Sequence, residues 1–214
     1  DVFKIEQPAG ELNHRLPPTQ NGMGIVYITN NHNKRPIQID LKNPVHLEAA
    51  YQLVATCDVL IENMSPGTVD RLGLSYEVVS KLNPRIVYVS VTAYGTTGPM
   101  GRAAGADPTV QSFSGFTSVN GTEGGRGEFL RFFGHLDHTV STYIVGAVLK
   151  GLVAREKTGH GQHVTMTMVG CTMCIMTTTW AQYLGSGELP RPLGSADAKT
   201  APHEAFRCQD QAYL

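Results

Sequence analysis

Two rhythms of apolar residues run along this chain. Ile86-Val87-Tyr88-Val89-Ser90-Val91 is almost continuously apolar and is the clearest strand in the chain. Asp58-Val59-Leu60-Ile61-Glu62 is a continuous apolar run with charged ends and predicts a buried parallel strand, and Gln162-His163-Val164-Thr165-Met166-Thr167-Met168 alternates apolar with polar positions. Shorter strands are expected at residues 1–6 and 37–40. Between these runs the spacing changes to three and four. Asn43-Pro44 supplies a cap and a first-turn proline for a helix with Leu47, Ala50, Tyr51 and Val54 on one face. Pro66-Gly67 turns into a second helix bearing Val69, Leu72, Tyr76, Val79 and Leu82, which Asn83-Pro84 stops. Asp107-Pro108 opens a helix through Val110, Gln111 and Phe113. Another is expected from Cys171 to Leu184. Residues 7–24, polar and rich in Pro, Gly and Asn, predict a long loop, as do residues 94–107 and the glycine-rich residues 121–127. Strands alternating with helices over short connections predict an α/β fold with an open parallel sheet. Ligands of such sheets bind beyond the carboxyl ends of the strands, where Asn63 and Tyr94 fall.

One further helix organises the chain. After Phe132-Phe133-Gly134-His135-Leu136-Asp137-His138, the residues Val140, Tyr143, Ile144, Ala147, Val148 and Leu152 define a buried face that ends near Gly159. Asp137 stands where that pattern begins. It can cap the first turn, and the helix dipole favours its ionised form. A held, ionised carboxylate is also a candidate nucleophile in acyl transfer. Position alone does not separate the two roles.

The 214 residues suffice for one large domain or two small ones, and 41% are apolar. A net charge of −1 advertises no basic surface, so nucleic acid is not an expected partner. No apolar run has the length of a membrane span, and no membrane partner is expected. Four cysteines, Cys57, Cys171, Cys174 and Cys208, make no disulfide framework and fit a reducing cytoplasm. The chain opens on a strand without an initiating Met and stops at Ala212-Tyr213-Leu214, which resembles the entry to another strand. It is expected to be an internal piece of a longer protein.

Other groupings carry less. Cys171-Thr172-Met173-Cys174 has metal-site spacing, but it sits in a helical, Met-rich stretch with no second pair, so buried apolar packing is the simpler reading. His135 and Asp137 share a face only in an extended segment. No metal is expected. Gly124-Gly125-Arg126-Gly127 does not link a strand to a helix as a dinucleotide fingerprint must. Lys34, Arg35, Lys42 and Arg71 read as solvated surface or, beside strand ends, as phosphate ligands.

Four blocks taken in order resemble a known family: Asp1-Val2-Phe3-Lys4-Ile5-Glu6; Ile61-Glu62-Asn63-Met64-Ser65-Pro66-Gly67 with Asp70-Arg71-Leu72-Gly73; Leu82-Asn83-Pro84-Arg85-Ile86-Val87-Tyr88; and Arg155-Glu156-Lys157-Thr158-Gly159-His160-Gly161-Gln162. They resemble the class III CoA-transferases, which include the formyl-CoA, carnitine and bile-acid enzymes and the related 2-methylacyl-CoA racemases. The resemblance covers essentially the whole chain. It implies a Rossmann-like large domain with helices on both faces of the sheet, an interlaced homodimer, and coenzyme A or acyl-CoA as substrate rather than a permanent cofactor. Residues 1–214 then belong to the large CoA-binding domain, truncated at both ends, with 185–214 leading toward a smaller domain.

The resemblance also implies that Asp137 is the nucleophile, forming an aspartyl anhydride and then an aspartyl-CoA thioester that a carboxylic acid acceptor resolves. Ile39, Lys42, Asn63, Met64 and Arg71 match residues lining the CoA site, with Lys42 and Arg71 suited to phosphates. Gln7 and Ala104 depart from the pattern, since some members carry Arg and Lys there. Racemases pair the aspartate with a His at the position of Ala106, because moving a proton between two faces of one carbon needs a base on each side. The absence of that His favours transferase over racemase, unless His135 or His138 substitutes. A non-catalytic nucleotide-binding domain, with Asp137 only a cap, is the remaining alternative.

Overall fold

The computed structural model describes residues 1–131 and 134–213, a mixed α/β chain with parallel sheets that divides into two units. Phe132, Phe133 and Leu214 lie outside the described residues.

The first unit holds residues 1–58 and 69–86. Strand β1 (Val2–Glu6) ends in a carboxylate, and the segment expected as a loop folds around that group. It forms a 3₁₀ turn (Leu12–His14), a two-residue hairpin of β2 (Thr19–Gln20) and β3 (Met23–Gly24), and helix α1 (Ile25–Asn30). Asn21 and Gly22 close the hairpin at φ 51° and 78°, the left-handed pair that a tight hairpin turn requires. Glu6, only 6% exposed, collects the pieces. Tyr27 of α1 donates its hydroxyl to Oε1 at 2.8 Å, Lys4 Nζ lies 3.0 Å from the same oxygen, and His14 Nε2 lies 3.1 Å from Oε2.

β4 (Lys34–Gln38) pairs in parallel with β1, Ile5 facing Ile37. The strand stops two residues before the expected end because Asp40 turns the chain, accepting from Lys42 N at 3.0 Å through its side chain. Helix α2 (Pro44–Thr56) starts where the sequence predicts, with Asn43 Oδ1 accepting from Val45 N at 2.9 Å. The single helix expected over 69–82 is two, α3 (Thr68–Arg71) and α4 (Tyr76–Leu82). Gly73 divides them at φ 77°, its carbonyl accepting from Tyr51 Oη at 2.9 Å. Asn83 Nδ2 then donates to the Val54 and Cys57 carbonyls at 3.1 and 2.8 Å, satisfying the end of α2.

In the second unit, residues 59–68 and 87 onward, strands β5 (Val59–Glu62), β6 (Val87–Thr92) and β7 (Gln162–Thr167) form a parallel sheet in that order. The helices are α5 (Asp107–Phe113), α6 (Phe116–Val119), α7 (His135–Thr158), α8 (Met168–Ile175) and α9 (Thr177–Ser186). Val87, Val89 and Val91 of β6 pack with Val110, Leu136, Val140, Met168 and Cys171. α7 approaches β6 closely at Gly151, where a Cβ would lie 2.6 Å from Val87 Cγ1. It ends at Gly159, φ 76°, and a short turn leads into β7. Its N-terminus therefore lies toward the carboxyl ends of the strands. The helix expected over 171–184 breaks at Met176, and it starts early because Thr167 accepts from Gly170 N at 2.9 Å as its cap.

Burial alone would raise the Glu6 carboxyl, but the hydrogen bonds from Lys4 and Tyr27 and the charges of Lys4 and His14 hold it below its usual range. Glu6→Ala removes the common partner of these groups and is expected to destabilise the protein by about 3 kcal/mol at neutral pH, read from urea unfolding. A depressed folded value means the contribution is complete above the unfolded Glu pKa and lost as pH falls through the folded one. The gap between wild type and variant should therefore narrow on acidification.

Candidate active site

Helix α7 begins without a local side-chain cap. Its N-cap is Gly134, and Asp137 occupies the first turn without bonding the helix's free amides. The capping role that the sequence offered to Asp137 belongs to Asp107, thirty residues earlier at the start of α5. Asp107 is 7% exposed. Its Oδ2 accepts from Leu136 N at 2.7 Å and, more loosely, from Asp137 N at 3.4 Å. Gln111, one turn along α5, donates through Nε2 to Asp107 Oδ1. The same amide spans the Leu130 backbone, donating to its carbonyl at 3.1 Å and accepting from its N–H at 3.0 Å. One buried pair thus holds both the helix start and the Leu130 backbone. Beside them lies a cavity of about 190 Å³ lined by Asp107, Gln111, Phe129, Leu130, Arg131 and Gly134.

Asp137 is exposed and stands over Gly134, where a Cβ would come within 3.1 Å of Oδ2. Partial desolvation comes first among the influences that raise its carboxyl above the ordinary Asp value. The negative charge of Asp107 comes next, and His138 pulls the other way. The sequence pattern predicts a carboxylate held ionised by the helix dipole. The shift runs in the opposite direction because the carboxyl is partly desolvated and because the helix end already has its anion in Asp107, which makes Asp137 a second negative charge at one terminus. His135 stacks near Phe116, ring centroids 5.3 Å apart.

Asn63 and Met64 follow β5 in the same unit, at its carboxyl end as expected. Asn63 is exposed, and Met64 N donates to Glu62 Oε2 at 3.0 Å. Ile39, Lys42 and Arg71 belong to the first unit. Lys42 and Arg71 are exposed, but Ile39 is 8% exposed and donates its N–H to the Glu6 carbonyl at 2.9 Å, extending the β1 ladder. Gln7 turns its amide to the Gly10 carbonyl at 3.0 Å. Ala106 is exposed at the N-cap of α5, its N–H donating to Thr109 Oγ1 at 2.8 Å. Cys171 is buried in the core as expected, whereas Cys174, three residues on, is exposed and both are free. Among the described residues no three metal-ligating side chains converge, and no helix is long and apolar enough to cross a membrane.

Asp107 and Gln111 do not stand out as site residues in the sequence. Their four-residue spacing places them on one face of α5, a legible signal for a bonded pair. Nothing local shows that the pair reaches α7.

The sequence model of the CoA-transferase family III matches residues 1–214. Succinyl-CoA:glutarate CoA-transferase of Mus musculus is 31% identical over 212 residues, covering 98% of this chain and 48% of that protein. Succinate–glutarate CoA-transferase of Agrobacterium fabrum is 34% identical, over 98% of this chain and 54% of that protein. Acetyl-CoA:oxalate CoA-transferase of Acetobacter aceti is 29% identical over the full chain and 55% of that protein. A solved CAIB/BAIF family protein from Brucella suis superposes with a TM-score of 0.91 at 31% identity, covering 100% of this chain and 57% of that one. The chain spans about half the length of the relatives it matches.

The raised Asp137 carboxyl gives a check on stability. A carboxyl with a folded pKa above its unfolded one binds protons more readily in the folded state, so its contribution to stability falls as pH rises through that window. Asp137→Asn is therefore expected to be more stable than wild type at neutral pH. The advantage should vanish below the ordinary Asp value, as measured by thermal unfolding at both pH values.

Proposed function

The chain belongs to the CoA-transferase family III, and on that basis we propose that the full-length protein moves CoA from an acyl-CoA thioester to a carboxylic acid, with Asp137 as nucleophile. The observation that carries this reading is the Asp137 carboxylate. It stands exposed at a helix start whose amides another residue already satisfies, and it is more basic than an ordinary aspartate. A carboxylate spent on capping would be a poorer nucleophile.

In the proposed sequence an Asp137 oxygen attacks the donor acyl carbon, the C–S bond breaks, and CoA leaves as the thiolate. The thiolate attacks the Asp137 carboxyl carbon of the resulting anhydride. That step releases the donor acid as its carboxylate and leaves an aspartyl-CoA thioester. The acceptor carboxylate attacks this thioester, expelling the thiolate again, and the thiolate takes the acceptor acyl group from Asp137. Each step exchanges one activated acyl group for another, so a direct and difficult displacement is divided into easier ones. No oxidant, reductant or metal is consumed.

In this reading Lys42 and Arg71, both exposed, hold CoA phosphates, and Ile39, Asn63 and Met64 line the rest of the nucleotide site. The burial of Ile39 favours a backbone or supporting role for that residue. The names of the relatives make succinyl-CoA and acetyl-CoA the donors, and glutarate and oxalate the acceptors, to test first. The reading includes a homodimer, which the exposed apolar residues Val145, Leu149 and Val153 along α7 support. It also includes a reducing compartment such as the cytoplasm, in keeping with the free cysteines.

The test uses the full-length protein, incubated with these acyl-CoA donors, quenched with hydroxylamine and mapped by peptide mass. A hydroxamate is expected on Asp137. Asp137→Asn should lose at least about a thousandfold in kcat while CoA affinity, measured by calorimetry, stays within severalfold. No hydroxamate with any donor, together with deuterium exchange at the 2-position of a 2-methylacyl-CoA, would assign the protein to the racemases instead.

A further inference from the structure

We propose that Asp107 is a positioning residue for the transfer chemistry: its buried carboxylate, braced by Gln111, anchors the first turn of α7 so that the Asp137 carboxylate is fixed in place without being occupied. The inference rests on the reading of Asp137 as nucleophile.

A helix start needs an acceptor for its free amides, and a local Ser, Thr, Asn or Asp at the N-cap is the usual provider. Here the N-cap is Gly134. A side chain at that position would begin 3.1 Å from Asp137 Oδ2, so a local cap would crowd the group that has to react. Supplying the acceptor from α5 leaves the space over Gly134 to Asp137. The anchor is rigid: Asp107 is 7% exposed, its Oδ2 lies 2.7 Å from Leu136 N, and its other oxygen takes the Gln111 amide. Gln111 also makes two hydrogen bonds to the Leu130 backbone, so that position is held by the same pair.

A cap that served structure alone would not favour a second negative charge at the helix end that carries Asp137. Serine or asparagine would satisfy the same amides without it. The charge has a chemical effect, since it raises the Asp137 carboxyl and with it the donor strength of its oxygens. Among the described residues, the other charged or titratable side chains of this corner include Arg131 before α7, His135 and His138 on α7 itself, and Tyr94, packed on Phe113 of α5. α8, packed against α5 and α7, contributes the buried thiol of Cys171.

The test measures formation of the Asp137 acyl adduct by hydroxylamine trapping in full-length wild type, Asp107→Asn and Gln111→Met, as a function of pH. Asn keeps an acceptor for the amides and removes the charge. Asp107→Asn is expected to slow adduct formation roughly tenfold with KM for the CoA thioester within about twofold, and to move the acid limb of the rate to lower pH. Gln111→Met is expected to slow adduct formation severalfold while the acid limb does not fall, because Asp107 and its charge remain.

An Asp107→Asn variant that matches wild type in rate, or one that is slower with an unmoved acid limb, overturns the inference and leaves Asp107 a structural cap. If Asp107→Asn does not fold, Gln111→Met decides alone: an unchanged rate, or a fall in the acid limb, overturns it. Absence of any adduct in wild type marks the different failure of the nucleophile itself, and the inference falls with it.

Discussion

Everything at the candidate site depends on how the first turn of α7 finds its hydrogen-bond partners. Free amides at a helix start cost free energy when nothing accepts from them. This chain meets the requirement with a carboxylate from another helix, so α5, the segment near Leu130 and α7 are tied into one corner. At the far end of α7, Gly151 lets the helix close onto Val87. A helix located at both ends carries its first-turn side chains in a fixed place. The reaction assigned to Asp137 requires that placement, because attack on a bound thioester depends on orientation to within a fraction of an ångström.

The Glu6 and Asp137 carboxylates are each withdrawn from water to some degree, and their pKa values move in opposite directions. Glu6 is the more buried, yet Tyr27, Lys4 and His14 converge on it and its carboxyl is depressed. Asp137 is exposed, yet it has a negative neighbour instead of donors and its carboxyl is raised. Burial contributes in the same direction to both. At Glu6 the partners reverse the effect of burial and tie a 3₁₀ turn and a helix to the first strand, whereas at Asp137 burial and the charge of Asp107 act in the same direction.

The elements are legible wherever a local signal fixes them. Asn43-Pro44 marks the start of α2 to the residue and the valine run of β6 marks a strand, whereas β5, expected to be buried, is partly open, with Ile61 53% exposed. The apolar spacing overstates helix length where a single backbone position interrupts it, as Gly73 does between α3 and α4. The hairpin at Asn21-Gly22 carries a strong turn signal, but two-residue strands have no alternation to accompany it. The position of Asp137 is visible in the sequence, and the family resemblance suggests the role proposed for it. No local pattern shows the path from Asp107 to Leu136, because a hydrogen bond spanning 29 residues of sequence depends on the tertiary packing of α5 against α7.

α7 carries apolar residues on more than one face. Leu136 and Val140 enter the core, while Val145, Leu149 and Val153 face outward on the same 24-residue helix. An exposed apolar stripe beside a buried one marks a helix that works against further protein. In the relatives about half of the protein lies outside the matched region, and protein of that kind, or a second copy of the chain, is what such a face would accept. Cover of this sort would act on the site from a distance. It would remove water from the outer side of α7, strengthen the backbone hydrogen bonds along it, and stiffen the element whose first turn Asp107 already anchors. The contacts that hold Asp137 would then be shared between a polar anchor at the helix start and an apolar one along its length.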